Sequence, residues 1–231
     1  MKLSIIMPVY NESGTIREIL RQVRNVDLGT IEKEIIVVDD FSGDGTRDLL
    51  QKETSDGDIK IIYHPRNQGK GAAVCSGLNE ASGDFIIIQD ADLEYDPAEY
   101  NKLLAPLIKN EADVVYGSRF LELKKNQFQS LAQYLGNRFL TCLTNLLYKV
   151  KISDMETCYK VFRANLIKGL SIKARHFDFE PEVTAKVLKK KWRFREIPIS
   201  YKARGYKMGK KINYRDGIVA VWCLIKHRFM G

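Results

Sequence analysis

Short apolar runs alternate with amphipathic stretches along the first 120 residues of the 231-residue chain. The apolar runs are residues 3–9, 34–38, 59–63, 84–89 and 113–116, dominated by Ile and Val. Runs this short and uniform predict strands buried on both faces, as in a parallel sheet covered by helices. Between them Ile16, Ile19, Leu20 and Val23 recur at helical spacing, and residues 72–81 are small enough to pack closely on a sheet. Pro97 suits the first position of a helix running to about residue 110. Strands alternating with helices at this spacing predict an α/β fold with a largely parallel sheet flanked by helices.

The alternation then stops. Residues 128–150 read as one long amphipathic helix carrying Leu131, Leu135, Leu143, Leu146 and Leu147, and 153–157 as a polar loop. Residues 158–163 read as a strand, the 177–180 stretch leads into a helix through 188, 192–201 alternates as a strand, and 214–229 is helical. The charge-free run 218–225 is far below the ~20 residues needed to span a bilayer. The expected organisation is a main unit over 1–211, with halves 1–120 and 121–211, followed by a C-terminal helix over 212–231 suited to lie on a membrane surface.

Chemistry is expected where the strands end. The fourth run passes directly into Asp90-Ala91-Asp92, with Glu94 beyond it. Two carboxylates at one strand exit suit a hard divalent cation whose other ligands come from waters and a diphosphate. An acidic turn that merely ends a strand is the bland alternative. Similar polar sets follow the other strands: Pro8-Val9-Tyr10-Asn11-Glu12, Asp39-Asp40-Phe41-Ser42-Gly43-Asp44-Gly45-Thr46 and Gly117-Ser118-Arg119. Gly69-Lys70-Gly71 invites comparison with a dinucleotide fingerprint, but Val74 stands where the third glycine belongs and the loop follows the third strand. A phosphate-binding P-loop is absent as well, since no Ser or Thr follows Lys70-Gly71.

Charge changes the picture late in the chain. The net charge is +8, yet residues 186–215 hold twelve Lys/Arg against one acid, Glu196, while residues 1–185 hold 23 basic and 27 acidic residues. A basic block of that kind suits nucleic acid, anionic lipid or a phosphorylated substrate. No recognised nucleic-acid module accompanies it, so a nucleic-acid partner is not expected. Four cysteines and three histidines are scattered without metal-ligand spacing, which excludes a zinc site or disulfide framework and fits a reducing, cytoplasmic setting. The N-terminus runs straight into a strand, with too short an apolar stretch for a signal peptide.

Taken with Phe177-Asp178-Phe179-Glu180, Pro198-Ile199-Ser200-Tyr201, Arg204 and Gly209-Lys210-Lys211, these strand exits make the sequence resemble, over nearly its whole length, family-2 glycosyltransferases of the GT-A fold. That fold implies a Rossmann-like, mixed but mostly parallel sheet flanked by helices, and within the family the sequence is similar to the dolichyl- or polyprenyl-phosphate mannose and glucose synthases. The resemblance implies that Pro8, Tyr10, Glu12, Asp39 and Asp40 hold the base and ribose of a nucleotide-sugar donor of the GDP-mannose or UDP-glucose type. It places Asn67 and Lys70 in the loop that reaches the nucleotide, and Asp90, Ala91 and Asp92 at the metal-binding motif for Mg²⁺ or Mn²⁺. Glu94 falls where relatives often have glutamine and becomes a candidate third metal contact. Arg119 and Arg204 match phosphate-binding arginines, with Lys210 beside them, and Asp154 an acid facing the acceptor. Relatives place a further arginine a few residues before Arg138. The implied acceptor is a polyprenyl phosphate at the cytosolic membrane face, reached peripherally or through a separate membrane subunit.

A phosphate acceptor, with its second pKa near about 6, is largely dianionic at neutral pH and needs cationic clamping rather than a general base. Transfer to a sugar hydroxyl is the alternative, and it would require Asp154 or another carboxylate as base. A non-catalytic sugar-nucleotide module is the reading from a different class.

Overall fold

The computed structural model describes residues 1–53, 59–122, 131–203 and 214–230. In chain order it contains β1 (Lys2–Val9), α1 (Ile16–Asn25), β2 (Glu32–Asp39), α2 (Thr46–Glu53), β3 (Ile59–Tyr63), α3 (Lys70–Glu80), β4 (Phe85–Ile88) and α4 (Tyr100–Ile108). There follow β5 (Val114–Ser118), α5 (Leu131–Tyr148), β6 (Lys160–Arg163), α6 (Ala164–Lys168), α7 (Phe179–Lys190), β7 (Phe194–Pro198) and α8 (Tyr214–Phe229). The seven strands form one sheet in the order β3-β2-β1-β4-β6-β5-β7. All neighbours are parallel except β6, which runs antiparallel to both β4 and β5. The expected α/β fold with a mixed, mostly parallel sheet is the fold observed.

Register explains the apolar runs. Ile5 lies between Ile35 of β2 and Ile87 of β4, and every residue of β4 is buried. α1 turns Ile16, Ile19, Leu20 and Val23 inward as one stripe. α3 approaches the sheet so closely that a side chain at Gly77 would collide with Ile6. Pro97 opens a short 3-10 turn, Pro97–Glu99, before α4 rather than α4 itself. The sequence pattern did not suggest α6, and its five residues are too few to show helical periodicity.

A smaller apolar cluster joins α5 to α8 through Leu140, Ile152, Met155, Ala220 and Leu224. The charge-free run on α8 is therefore two-faced. Ala220 and Leu224 are buried, whereas Ile218 and Trp222 are 65% and 58% exposed.

Candidate active site at the strand exits

The strand order reverses between β1 and β4, and ligands of open α/β sheets bind at such a switch point, outside the carboxyl ends of the strands. A cavity of about 910 Å³ lies there. Pro8, Tyr10 and Glu12 reach it from the end of β1, Asp40 from β2, Asn67 and Lys70 from the segment after β3, Asp90, Ala91, Asp92 and Glu94 from β4, and Arg119 from β5. α5 and α8 close one side with Gly136, Leu140, Gly217 and Ala220. Because β6 runs backwards, the chain leading into it also arrives at this edge, bringing Glu156 and Cys158.

The two acids after β2 do different work. Asp40 Oδ1 accepts from the backbone N–H of Gln68 at 2.8 Å and Oδ2 from that of Gly69 at 2.7 Å. Its Oδ1 also meets His64 Nδ1 at 2.7 Å, and His64 Nε2 meets Ser76 Oγ at 2.9 Å. Asp40 therefore fixes the loop that delivers Asn67 and Lys70. Asp39 does not line the cavity. It is fully buried, 2.6 Å from the Nε of Arg47, whose Nη2 donates to the His64 carbonyl. Gly69 and Gly71 have a structural reason unrelated to phosphate. Gly69 sits at φ 93°, and a Cβ on either residue would strike the backbone of 174–176.

Lys70 links three parts of the wall. Its ammonium lies 2.9 Å from Asp90 Oδ1 and 2.9 Å from Glu180 Oε1. Asp90 is placed from behind by Gln89, whose side-chain amide donates to the Asp90 carbonyl at 2.9 Å while its Oε1 accepts from Tyr100 and Tyr159, each at 2.6 Å. Arg119 is held by a two-pronged pair, Nε to Asp154 Oδ2 at 2.7 Å and Nη2 to Oδ1 at 2.8 Å, and its backbone N–H donates to the same carboxylate. Asp154 is fully buried and does not line the cavity. In this structure its carboxylate positions Arg119. Arg138 is exposed, 5.4 Å from the Phe120 ring, and stays off the wall.

Glu94 is the candidate third metal contact beside Asp90 and Asp92. Among the described residues no three acidic, His or Cys side chains converge to hold an ion by themselves. Glu94 turns to Tyr201, accepting its hydroxyl at 2.7 Å. Asp90 and Asp92 stand on the cavity wall with it. Two hard carboxylates fit a divalent ion that draws its other ligands from a diphosphate and water. Arg204 and Lys210 lie outside the described residues.

Glu180, Glu156 and Gln89 belong to the site without having been singled out for it. Glu180 stands inside the Phe177–Glu180 motif. Gln89 carried a weak signal, a polar residue closing an apolar strand. Glu156 carried none.

Comparison with known proteins agrees with this geometry. The glycosyl transferase family 2 model matches residues 4–170, and the chain belongs to that family. It is 31% identical over 210 residues to a dolichol-phosphate mannosyltransferase of Pyrococcus furiosus, covering 89% of this chain and 58% of the relative. It is 28% identical over 204 residues to a low-salt glycan biosynthesis hexosyltransferase of Haloferax volcanii, covering 87% of this chain and 48% of the relative. The chain thus spans about half the length of these two. A UDP-N-acetylglucosamine–dolichyl-phosphate N-acetylglucosaminyltransferase of Methanococcus voltae is 26% identical over 239 residues, 96% of this chain and 94% of the relative. Among solved structures, glucosyl-3-phosphoglycerate synthase of Mycobacterium tuberculosis, crystallised with Mn²⁺, UDP-glucose and phosphoglyceric acid, superposes with a TM-score of 0.77 at 16% identity, over 100% of this chain and 80% of that one. That likeness establishes the fold, the GT-A arrangement.

Proposed function

We propose that this chain transfers a hexose, with inversion, from a nucleoside-diphosphate hexose to a polyprenyl phosphate. The observation that carries the reading is the meeting of Asp90 and Asp92 with Lys70 and Arg119 on one cavity wall at the strand switch point. The names of the relatives from Pyrococcus and Methanococcus support a dolichyl-phosphate acceptor. Pro8, Tyr10, Glu12, Asp40 and Asn67 line the part of the cavity assigned to the nucleoside, with Asp39 acting from beneath through Arg47. Asp90 and Asp92 would hold Mg²⁺ or Mn²⁺, an ion that stabilises a leaving diphosphate without proton transfer. Arg119, fixed by Asp154, presents a planar guanidinium to a phosphate, and Arg204 and Lys210 are assigned to the same task from the sequence. A dianionic acceptor then attacks the anomeric carbon without a general base. The burial of Asp154 weighs against its acting as the base that a sugar-hydroxyl acceptor would require, a role open to another carboxylate.

We further propose that the protein works at the cytosolic face of a membrane, directly or beside a membrane subunit. No helix among the described residues is long and apolar enough to cross a bilayer. Leu131, Leu135 and Phe139 on α5 and Ile218, Trp222 and Phe229 on α8 are exposed apolar side chains that suit a lipid surface.

The test is a screen of UDP- and GDP-hexoses against a short polyprenyl phosphate with Mn²⁺, read by the mass of the lipid product. Product is expected from the wild type and none after chelation. Asp90→Asn and Asp92→Asn are expected to lose about a hundredfold or more in turnover while remaining folded. Transfer to a neutral sugar in preference to every lipid phosphate overturns the reading.

A further inference from the structure

Glu156 lines the cavity from the turn before β6, and its Oε1 is buried with no hydrogen-bond partner among the described residues. A buried acceptor without a partner is costly and calls for a group that completes it. The surroundings are built to hold it there. Lys160, fully buried, donates to the Met155 carbonyl at 2.8 Å and to the Thr157 carbonyl, so it anchors the turn on both sides of Glu156. The neighbouring cations already carry carboxylate partners, Arg119 with Asp154 and Lys70 with Asp90 and Glu180.

We propose that Glu156 is a specificity-determining contact for the donor hexose, its Oε1 pairing with a ring hydroxyl; this rests on the glycosyl-transfer reading above. A phosphate would meet Glu156 as a like charge, with Asp154 and Glu180 beside it. The hexose is the neutral polyol of the reaction, and its hydroxyls donate and accept as a carboxyl requires. Burial, and after it the charge of Glu180, raise the Glu156 carboxyl above the usual carboxylate range.

The test is titration calorimetry with Mn²⁺ on the wild type, Glu156→Ala and Glu156→Gln, using UDP, GDP, UDP-glucose and GDP-mannose. Affinity for the sugar nucleotide is expected to fall about tenfold or more in Glu156→Ala, with the bare diphosphate unaffected. Glu156→Gln, close in shape, is expected to retain part of the affinity, and it carries the test if the alanine variant does not fold. Donors lacking one hydroxyl at a time add a readout that a structural role would not move. One of them is expected to bind the wild type weakly yet lose nothing further in the variant. Unchanged sugar-nucleotide affinity in both variants overturns the proposal and leaves the transfer reading standing. A wild type that binds none of the four nucleotides overturns the transfer reading, and this proposal with it. A thousandfold loss of turnover in Glu156→Gln at unchanged donor affinity identifies a general base instead, and also overturns the proposal.

Discussion

Arg119 and Asp154 form the most buried ion pair on the cavity side of the sheet, and the geometry of one is set by the other. Removing the carboxylate strands a guanidinium in a low-dielectric site. Asp154→Ala is therefore expected to lose about 3–5 kcal/mol of stability, read by denaturant unfolding. Asp154→Asn is expected to lose less stability, because the shape and the backbone contact to Arg119 survive. A measured loss below about 1 kcal/mol in the alanine variant would mean that water reaches the pair. The sequence made both residues visible as candidates, but not as partners. Their contact spans 35 positions and depends on β6 running antiparallel beside β5. Apolar runs reveal that a strand is buried, not which way it points, so Glu156 and the role of Asp154 stayed hidden with the direction of β6.

Strand β2 is tied to its neighbours by one side chain. Glu34 accepts from Ser4 Oγ on β1, from the backbone N–H of Ser82 at 2.5 Å and from that of Gly83 at 3.2 Å ahead of β4, and it pairs with Lys2 at 2.9 Å. Burial pushes its carboxyl up, but the hydrogen bonds from Ser4, Ser82 and Lys2 outweigh burial and hold it down at about 2, against an ordinary 4.5. A depressed carboxylate contributes stability that is complete above the unfolded value and lost as pH falls through the folded one. Glu34→Gln is thus expected to melt below the wild type at pH 7, with the gap closing between the ordinary value of 4.5 and about 2. A gap that persists unchanged to pH 2 would show that the contact works by shape rather than charge. The elements themselves were largely legible, because their burial follows the strand and helix periods. β6, Lys160–Arg163, and β7, Phe194–Pro198, are shorter than the stretches 158–163 and 192–201 that predicted them.

On the whole molecule the outer faces of α5 and α8 leave Leu131, Leu135, Phe139, Ile218, Trp222 and Phe229 exposed on the two helices that also wall the cavity. Ile218→Glu combined with Trp222→Glu is expected to move the protein off vesicles of anionic lipid in a flotation assay while leaving the melting temperature within a few degrees, because neither side chain is in the α5–α8 cluster. Retained binding by a folded double variant would remove this face from the membrane proposal. Leu224→Glu is expected to unfold the pair instead, since Leu224 is fully buried. The reversed strand also matters before the molecule is complete. Synthesis proceeds from the N-terminus, and domains generally fold as units during it, so β1 to β4 can assemble while β6 is still unmade. Until residues 160–163 emerge, Phe85–Ile88 forms an open, charge-free edge of the kind that captures foreign strands. Ribosome-stalled chains that expose residues 1–122 are expected to aggregate or be digested readily, and chains that extend past residue 170 to resist both. The chain is therefore most vulnerable during synthesis while β1 to β4 exist and the strand that seals them does not.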